Sequence, residues 1–204
     1  MGRIKYGLWA VVIILGGILV AQTVLNAPTG PNASKGPGSV TGISIGGDFV
    51  LTDHTGARFD TASLRGRLPL LYFGYSFCPD VCPLELEKMG RALIALEESG
   101  LDTSKVAPVF VTIDPERDTP EVLAEYVPYF HDRMIGLTGT QEEIDQAASL
   151  YRVRAARSEV EGADYYLMDH TSLIFFLDEE GQLIRFFTSR DSLDDISDAV
   201  RKRL

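Results

Sequence analysis

Leu68-Pro69-Leu70-Leu71-Tyr72-Phe73-Gly74-Tyr75-Ser76-Phe77-Cys78-Pro79-Asp80-Val81-Cys82-Pro83 is the stretch that decides the fold. Its first half, Leu68 to Tyr75, is a nearly unbroken apolar run, the pattern of a central strand buried on both faces. Its second half sets two cysteines four positions apart. Beyond them Leu84, Leu86, Met89, Leu93, Ile94 and Leu96 recur at helical spacing, and Gly100 marks the stop. A buried strand that enters a helix through a cysteine-bearing turn is α/β architecture. The carboxyl end of such a strand is where α/β proteins place ligand sites.

The alternation continues on either side. Upstream, Phe49-Val50-Leu51-Thr52 predicts a strand, Asp53 to Gly56 a turn, and Arg58-Phe59 a return strand. Downstream, Val106 to Ile113 predicts a second buried strand. Thr119 as N-cap and Pro120 at the first helical position open a helix, and Thr140-Gln141-Glu142-Glu143 fits a capping box for another, running to about Leu150. Strands are expected at Tyr151 to Ala156, Tyr165 to Leu167, Ser172 to Leu177 and Leu183 to Phe187. The last two are joined by the hairpin connection Asp178-Glu179-Glu180-Gly181. Ser192 caps a final helix ending in Arg201-Lys202-Arg203, cations that suit its C-terminal dipole. Strands and helices that first alternate, then strands that cluster before a last helix, give an α/β domain with a mixed sheet. A thioredoxin-like fold matches that order best, over residues 43–204.

Ahead of this domain the stretch from Tyr6 to Leu25 carries no charge, and Arg3 and Lys5 precede it. At about 1.5 Å per residue a helix of that length spans a hydrocarbon core of roughly 30 Å. The positive-inside rule then holds residues 1–5 in the cytoplasm and exports the chain beyond the anchor at 6–25. A cleaved signal peptide is the competing reading, but the h-region of a signal is shorter and small residues are poorly placed for cleavage. Residues 26–42, rich in Pro, Gly and Ser, cannot bury a core and read as a flexible linker. The N-terminus lacks the Arg-rich amphipathic character of a mitochondrial presequence, so a bacterial inner membrane with the domain on the periplasmic side is expected.

Composition narrows the classes further. The 204 residues carry 19 Lys+Arg against 29 Asp+Glu, a net charge of −10. Nucleic-acid binding is disfavoured, because phosphate contacts need clustered Lys and Arg. Two cysteines in the whole chain exclude a disulfide scaffold.

Those two, Cys78 and Cys82, carry the chemistry. Pro83 fits the first helical position, which predicts Cys82 as the N-cap and a field of backbone N–H groups that favours thiolate. Two thiolates at this spacing can converge on one soft ion, Cu(I) or Zn. Cu(I) is satisfied by few soft ligands, whereas structural Zn takes four. A third ligand must come from elsewhere, and three histidines compete. His54, in a polar turn, and His131, beside Asp132, read as ordinary surface or half-buried residues. His170, in Met168-Asp169-His170-Thr171, sits in a short polar interruption between two strands and reads equally as a ligand or as a structural histidine. Asp169 could orient its imidazole or be a solvated turn residue. A structural disulfide between the cysteines would close too small a loop to stabilise much, so an exchangeable pair is expected. Metal site and redox site both stay open. Asp114, Glu116 and Asp118 form an acidic strip that reads as capping and turn chemistry, with a docking surface or a group near the metal as the alternative. Tyr75 and Phe77 are expected to pack against or shield the site.

The motif Gly74-Tyr75-Ser76-Phe77-Cys78-Pro79-Asp80-Val81-Cys82-Pro83 resembles the copper motif of the Sco/SenC family. Val111-Thr112-Ile113-Asp114-Pro115-Glu116-Arg117-Asp118-Thr119-Pro120 is similar to that family's second signature, and Gly136-Leu137-Thr138-Gly139 and Asp169-His170-Thr171-Ser172 complete the order. The likeness runs from about Ile43 to the C-terminus, and the single anchor fits the family's tethered members. It implies a thioredoxin-like fold with an inserted hairpin and a copper site, Cu(I) or Cu(II), made by Cys78, Cys82 and His170. It also implies delivery of copper to the binuclear centre of cytochrome c oxidase subunit II, with other periplasmic copper chaperones as further partners. The family's members have also been argued to act as thiol–disulfide reductases or redox sensors. The same dithiol that binds Cu(I) can hand two electrons to a target disulfide. The CxxxC spacing differs from the CxxC of dedicated oxidoreductases, which ranks the chaperone first. A peroxidase is weaker still, because the Pro/Thr surroundings of a peroxiredoxin cysteine are missing.

Overall fold

Seven strands form one mixed sheet in the computed structural model, which describes residues 45–204. They are β1 (Val50–Asp53), β2 (Arg58–Asp60), β3 (Leu68–Gly74), β4 (Val106–Thr112), β5 (Ile135–Thr138), β8 (Ile174–Leu177) and β9 (Leu183–Phe187), in the spatial order β2-β1-β5-β4-β3-β8-β9. The central strands β3, β4 and β5 are parallel, and the flanking pairs are antiparallel. A separate hairpin of β6 (Ala155–Glu159) and β7 (Tyr166–His170) is inserted before β8. Four helices, α1 (Val81–Glu98), α2 (Pro120–Tyr126), α3 (Gln141–Leu150) and α4 (Leu193–Arg201), complete the mixed α/β arrangement of a thioredoxin-like domain. The expected anchor at 6–25 and linker at 26–42 lie outside the described residues. Among the described residues no helix is long and apolar enough to cross a membrane.

The central strands form where the sequence is apolar on both faces: every residue of β3 and β4 is buried. Alternation then sorts their side chains. Phe73 meets Tyr151 and Phe175 on one face, with Phe49 closing the cluster, at centroid separations of 5.3 to 6.4 Å. Tyr72 and Phe110, opposite one another in register, turn to the other face, where α1 brings Cys82 beneath them. Helix α1 packs against α4, and it lies so close to the segment after α2 that a Cβ on Gly90 would stand 2.1 Å from the Phe130 carbonyl oxygen.

Local signals place the helix starts. Thr119 accepts from Val122 N–H with Pro120 following, and the capping boxes of Thr140 with Glu143 and Ser192 with Asp195 are both formed.

The structure departs from expectation at several places. The strand expected from Tyr151 to Ala156 starts only at Ala155, as β6. Ahead of it α3 ends in a Schellman motif: Val153 N–H donates to Ala148 O, Arg152 N–H to Ser149 O, and Arg152 takes the left-handed conformation at φ 57°. Glycine usually holds that position, and an arginine there gives no stop signal. Strand β5 has no counterpart among the expected strands, being four residues interrupted by Gly136, whose missing Cβ leaves room for Leu123 and Val127. His170 is the last residue of β7 rather than part of a gap between strands.

Candidate metal centre

Cys78, Cys82 and His170 meet at the carboxyl end of β3. Their sulfur and imidazole ligand atoms all lie within 4.8 Å of one another, and among the described residues no other such group of three exists. Cys82 Sγ stands 3.3 Å from His170 Nε2. Both cysteines are free, Cys78 half-buried and Cys82 fully buried.

Each ligand has a local reason for its position. Gly74, the last residue of β3, lets the backbone pass close over Cys82: a Cβ there would lie 2.9 Å from its sulfur and 2.8 Å from Tyr72 Cε1. Helix α1 starts earlier than expected. Asp80 is the N-cap, without a side-chain cap bond, and Cys82 is the second helical residue. Its backbone N–H is directed at Cys78 Sγ, 3.5 Å away, so the donor at the helix start serves the first cysteine. The expectation that Cys82 is held as thiolate is overturned: burial pushes its thiol up to about 12. The free dithiol therefore holds a proton on Cys82 that a metal must displace.

His170 arrives from the hairpin. Its Nδ1–H donates to the Thr171 carbonyl at 3.0 Å, which keeps the proton on Nδ1 and leaves Nε2 with its lone pair toward the sulfurs. Burial holds its pKa below the usual imidazole value, favouring the neutral ring that a metal requires. Tyr72 and Tyr75 clamp the ring edge-to-face at 6.2 and 6.0 Å. Tyr72 OH shares a 3.0 Å hydrogen bond with Ser172 Oγ, and Met168 N–H donates to Tyr75 OH. Tyr75 shields the site as expected. Phe77 does not: it is about half exposed, stacked under the Arg117 guanidinium.

The acidic strip is not one surface. Asp118 is fully buried and accepts from Ser76 N–H, Ser76 Oγ–H and Thr112 Oγ1–H, tying the loop that carries Cys78 to the end of β4. Asp114 is buried against Arg117 and Tyr166, and only Glu116 faces solvent. These buried roles give no sequence signal beyond the Asp-Pro and Thr-Pro spacing. The other two histidines stay apart from the site. His54 Nδ1 accepts from Gly136 N–H, and His131 Nδ1 accepts from Arg133 N–H.

The SCO1/SenC family model matches residues 39–204. The chain belongs to the SCO1/SenC family. An Arabidopsis thaliana relative, the mitochondrial SCO1 homolog 1, is 40% identical over 176 residues, covering 86% of this chain and 49% of its own length. The chain thus spans about half of that protein. A SCO2-like protein of Rickettsia felis is 37% identical over 186 residues, covering 91% of this chain and 89% of its own. The crystal structure of Arabidopsis ScoI with copper bound is 40% identical and superposes with a TM-score of 0.72, covering 78% of this chain and 98% of that one. A protein of this fold thus binds copper.

Proposed function

We propose that this SCO1/SenC protein is a membrane-tethered copper chaperone. It holds copper on Cys78, Cys82 and His170 and delivers it to the binuclear copper centre of cytochrome c oxidase subunit II during oxidase assembly. The observation that carries the reading is the convergence of two sulfurs and one imidazole nitrogen within 4.8 Å, with no fourth Cys or His beside them among the described residues. Three soft-to-borderline ligands satisfy Cu(I), while structural Zn is left one short. The copper-bound Arabidopsis relative and the resemblance of the motifs support the same cargo.

The chain's own groups account for loading and release. Cys82 gives up a proton as it takes the metal. The neutral His170 Nε2 is ready without deprotonation. Half-buried Cys78 stands at the edge of the site, where an incoming thiolate of the target can displace the ligands one at a time. The tether is read from the uncharged stretch Tyr6 to Leu25 behind Arg3 and Lys5, which places the domain on the periplasmic face of a bacterial inner membrane.

A second reading is favoured by the two free cysteines themselves. A dithiol whose sulfurs lie within 4.8 Å can form an intramolecular disulfide, releasing two protons and passing two electrons to a target disulfide that becomes a dithiol. Anaerobic Cu(I) competition titration of the reduced full chain in detergent separates the two. One tight equivalent supports the chaperone; its absence leaves the dithiol reading in the lead.

A further inference from the structure

Cys78 and Cys82 are carried by the core itself, at the junction of β3 and α1. His170 is carried by a separate hairpin, which meets the core near the ligand through the Tyr72 and Tyr75 rings and the Met168 N–H bond to Tyr75. Its strand β7 pairs only with β6 and belongs to no part of the seven-stranded sheet. Downstream, Thr171 to Leu173 lie outside any strand before β8 begins. The third ligand of the metal centre is therefore carried by an element that something else must dock.

Beyond the Met168–Tyr75 bond, the far end of β7 is docked by Tyr166, the one residue of that strand that is buried. Its hydroxyl donates to Asp114 Oδ1 at 2.9 Å, inside the protein. Its carbonyl accepts from Arg117 Nη1 at 3.0 Å, and Arg117 Nε donates to the other oxygen of Asp114. The ring lies between two guanidinium groups, with Arg117 Cζ 3.8 Å and Arg157 Cζ 3.5 Å from its centroid. Asp114 and Arg117 come directly after β4, so this cluster pins the hairpin to the core of the sheet. A buried neutral hydroxyl bonded to a carboxylate, with its backbone bonded to the same arginine, defines one docked position rather than a greasy contact that could slide.

We propose that Tyr166, through Asp114 and Arg117, is the positioning residue that holds His170 in reach of the two cysteines. The inference rests on His170 being the third ligand, and it adds the requirement that the hairpin be latched for that ligand to engage. With the latch open, two thiolates remain and the imidazole is withdrawn.

Tyr166→Phe keeps the ring between the guanidiniums and deletes the bond to Asp114; Asp114→Asn weakens the same latch from the other side. Amide hydrogen exchange of the metal-free full chain is the first readout. The proposal expects exchange of the β6–β7 amides to quicken several-fold to about tenfold in both variants, with β3 and β4 unchanged. The second readout is the nitrogen hyperfine coupling of the Cu(II)-loaded protein, expected to weaken in both variants while one Cu(I) equivalent still binds. Unchanged exchange in the hairpin, or an equal acceleration in β3 and β4, overturns the proposal. His170→Ala tests the underlying ligand assignment separately. If that variant leaves the Cu(II) spectrum intact, the three-ligand reading fails, whereas the exchange result still reports on the latch alone.

Discussion

Cys82 Sγ lies 3.3 Å from His170 Nε2, although 88 positions of chain separate them. The contact joins the start of α1 to the end of β7, and it makes a shared ligand set out of two elements that share no strand pairing. Removing either sulfur leaves one thiolate and one imidazole, too few soft donors to hold Cu(I) tightly. Cys78→Ala and Cys82→Ala should therefore abolish tight binding in a competition titration. His170→Ala keeps both sulfurs, so Cu(I) affinity should fall by about tenfold or more while the defined Cu(II) spectrum disappears. Retained spectrum and affinity in that variant would remove His170 from the site.

The two thiols should differ in reactivity. Cys82 is buried with its thiol pushed up to about 12, while Cys78 is half-buried and receives the Cys82 N–H. Alkylation of the reduced metal-free protein at neutral pH should modify Cys78 first, as peptide mapping would show. Because Cys82 stays protonated throughout the neutral range, each metal bound displaces its proton, and apparent Cu(I) affinity should rise about tenfold per pH unit for that proton. An affinity flat between about pH 6 and 8 would contradict the protonated thiol.

Gly74→Ala tests the close passage of β3 over the site. The new Cβ would meet Cys82 Sγ at 2.9 Å and Tyr72 Cε1 at 2.8 Å, both inside ordinary contact. Neither neighbour can withdraw, since each is fully buried. The expected cost is about 1–3 kcal/mol in denaturant unfolding, accompanied by weaker Cu(I) binding. A variant with full stability and affinity would show that the strand end has more room than this.

Much of this is legible in the sequence, and the misses have physical causes. Strand β3, helix α1 and the capped starts at Thr119, Thr140 and Ser192 follow from apolar runs and side chains that serve the neighbouring backbone. The paired cysteines announce the site. What the residues alone do not supply is which histidine completes it, because a lone His in a polar segment looks the same whether or not the fold brings it home. The strand expected from Tyr151 starts only at Ala155, because Arg152 takes a left-handed backbone where glycine is the usual signal. The acidic strip misleads for a different reason. Asp114 and Asp118 look like turn residues by spacing, but burial and partners far along the chain, Tyr166 for Asp114 and Ser76 for Asp118, decide their roles.

One buried and one half-buried histidine give stability a dependence on mild acid. Burial depresses the pKa of both His131 and His170 in the fold, while the unfolded chain protonates near the ordinary value of 6.5. The unfolded state thus binds more protons below that pH, so stability is lost as pH falls from about 7 to 5. Each histidine contributes at most about 1.4 kcal/mol per pH unit. His131→Gln should remove its share of the slope and leave that of His170, as read from urea midpoints across the range. An unchanged slope would place His131 in a solvated setting, against its burial between Glu97 and Arg133.

Asp118 tests whether the loop bearing Cys78 needs its buried carboxylate. Three donors, Ser76 N–H, Ser76 Oγ–H and Thr112 Oγ1–H, converge on it. Asp118→Ala strands those donors in the core and should cost about 3 kcal/mol. Asp118→Asn keeps the shape and one acceptor oxygen and should cost less. The two acidities also separate. Burial, the largest influence, raises the folded pKa of Asp118 above its unfolded value of 3.8, against the lowering effect of its donors. The wild type is therefore favoured at low pH and loses that advantage as pH rises through the raised pKa, whereas Asn does not titrate. The stability gap between wild type and Asp118→Asn should narrow as pH climbs from about 4, measured by denaturant unfolding. A gap that widens instead would mean that the donors outweigh burial and that Asp118 is held as a carboxylate beneath the metal loop.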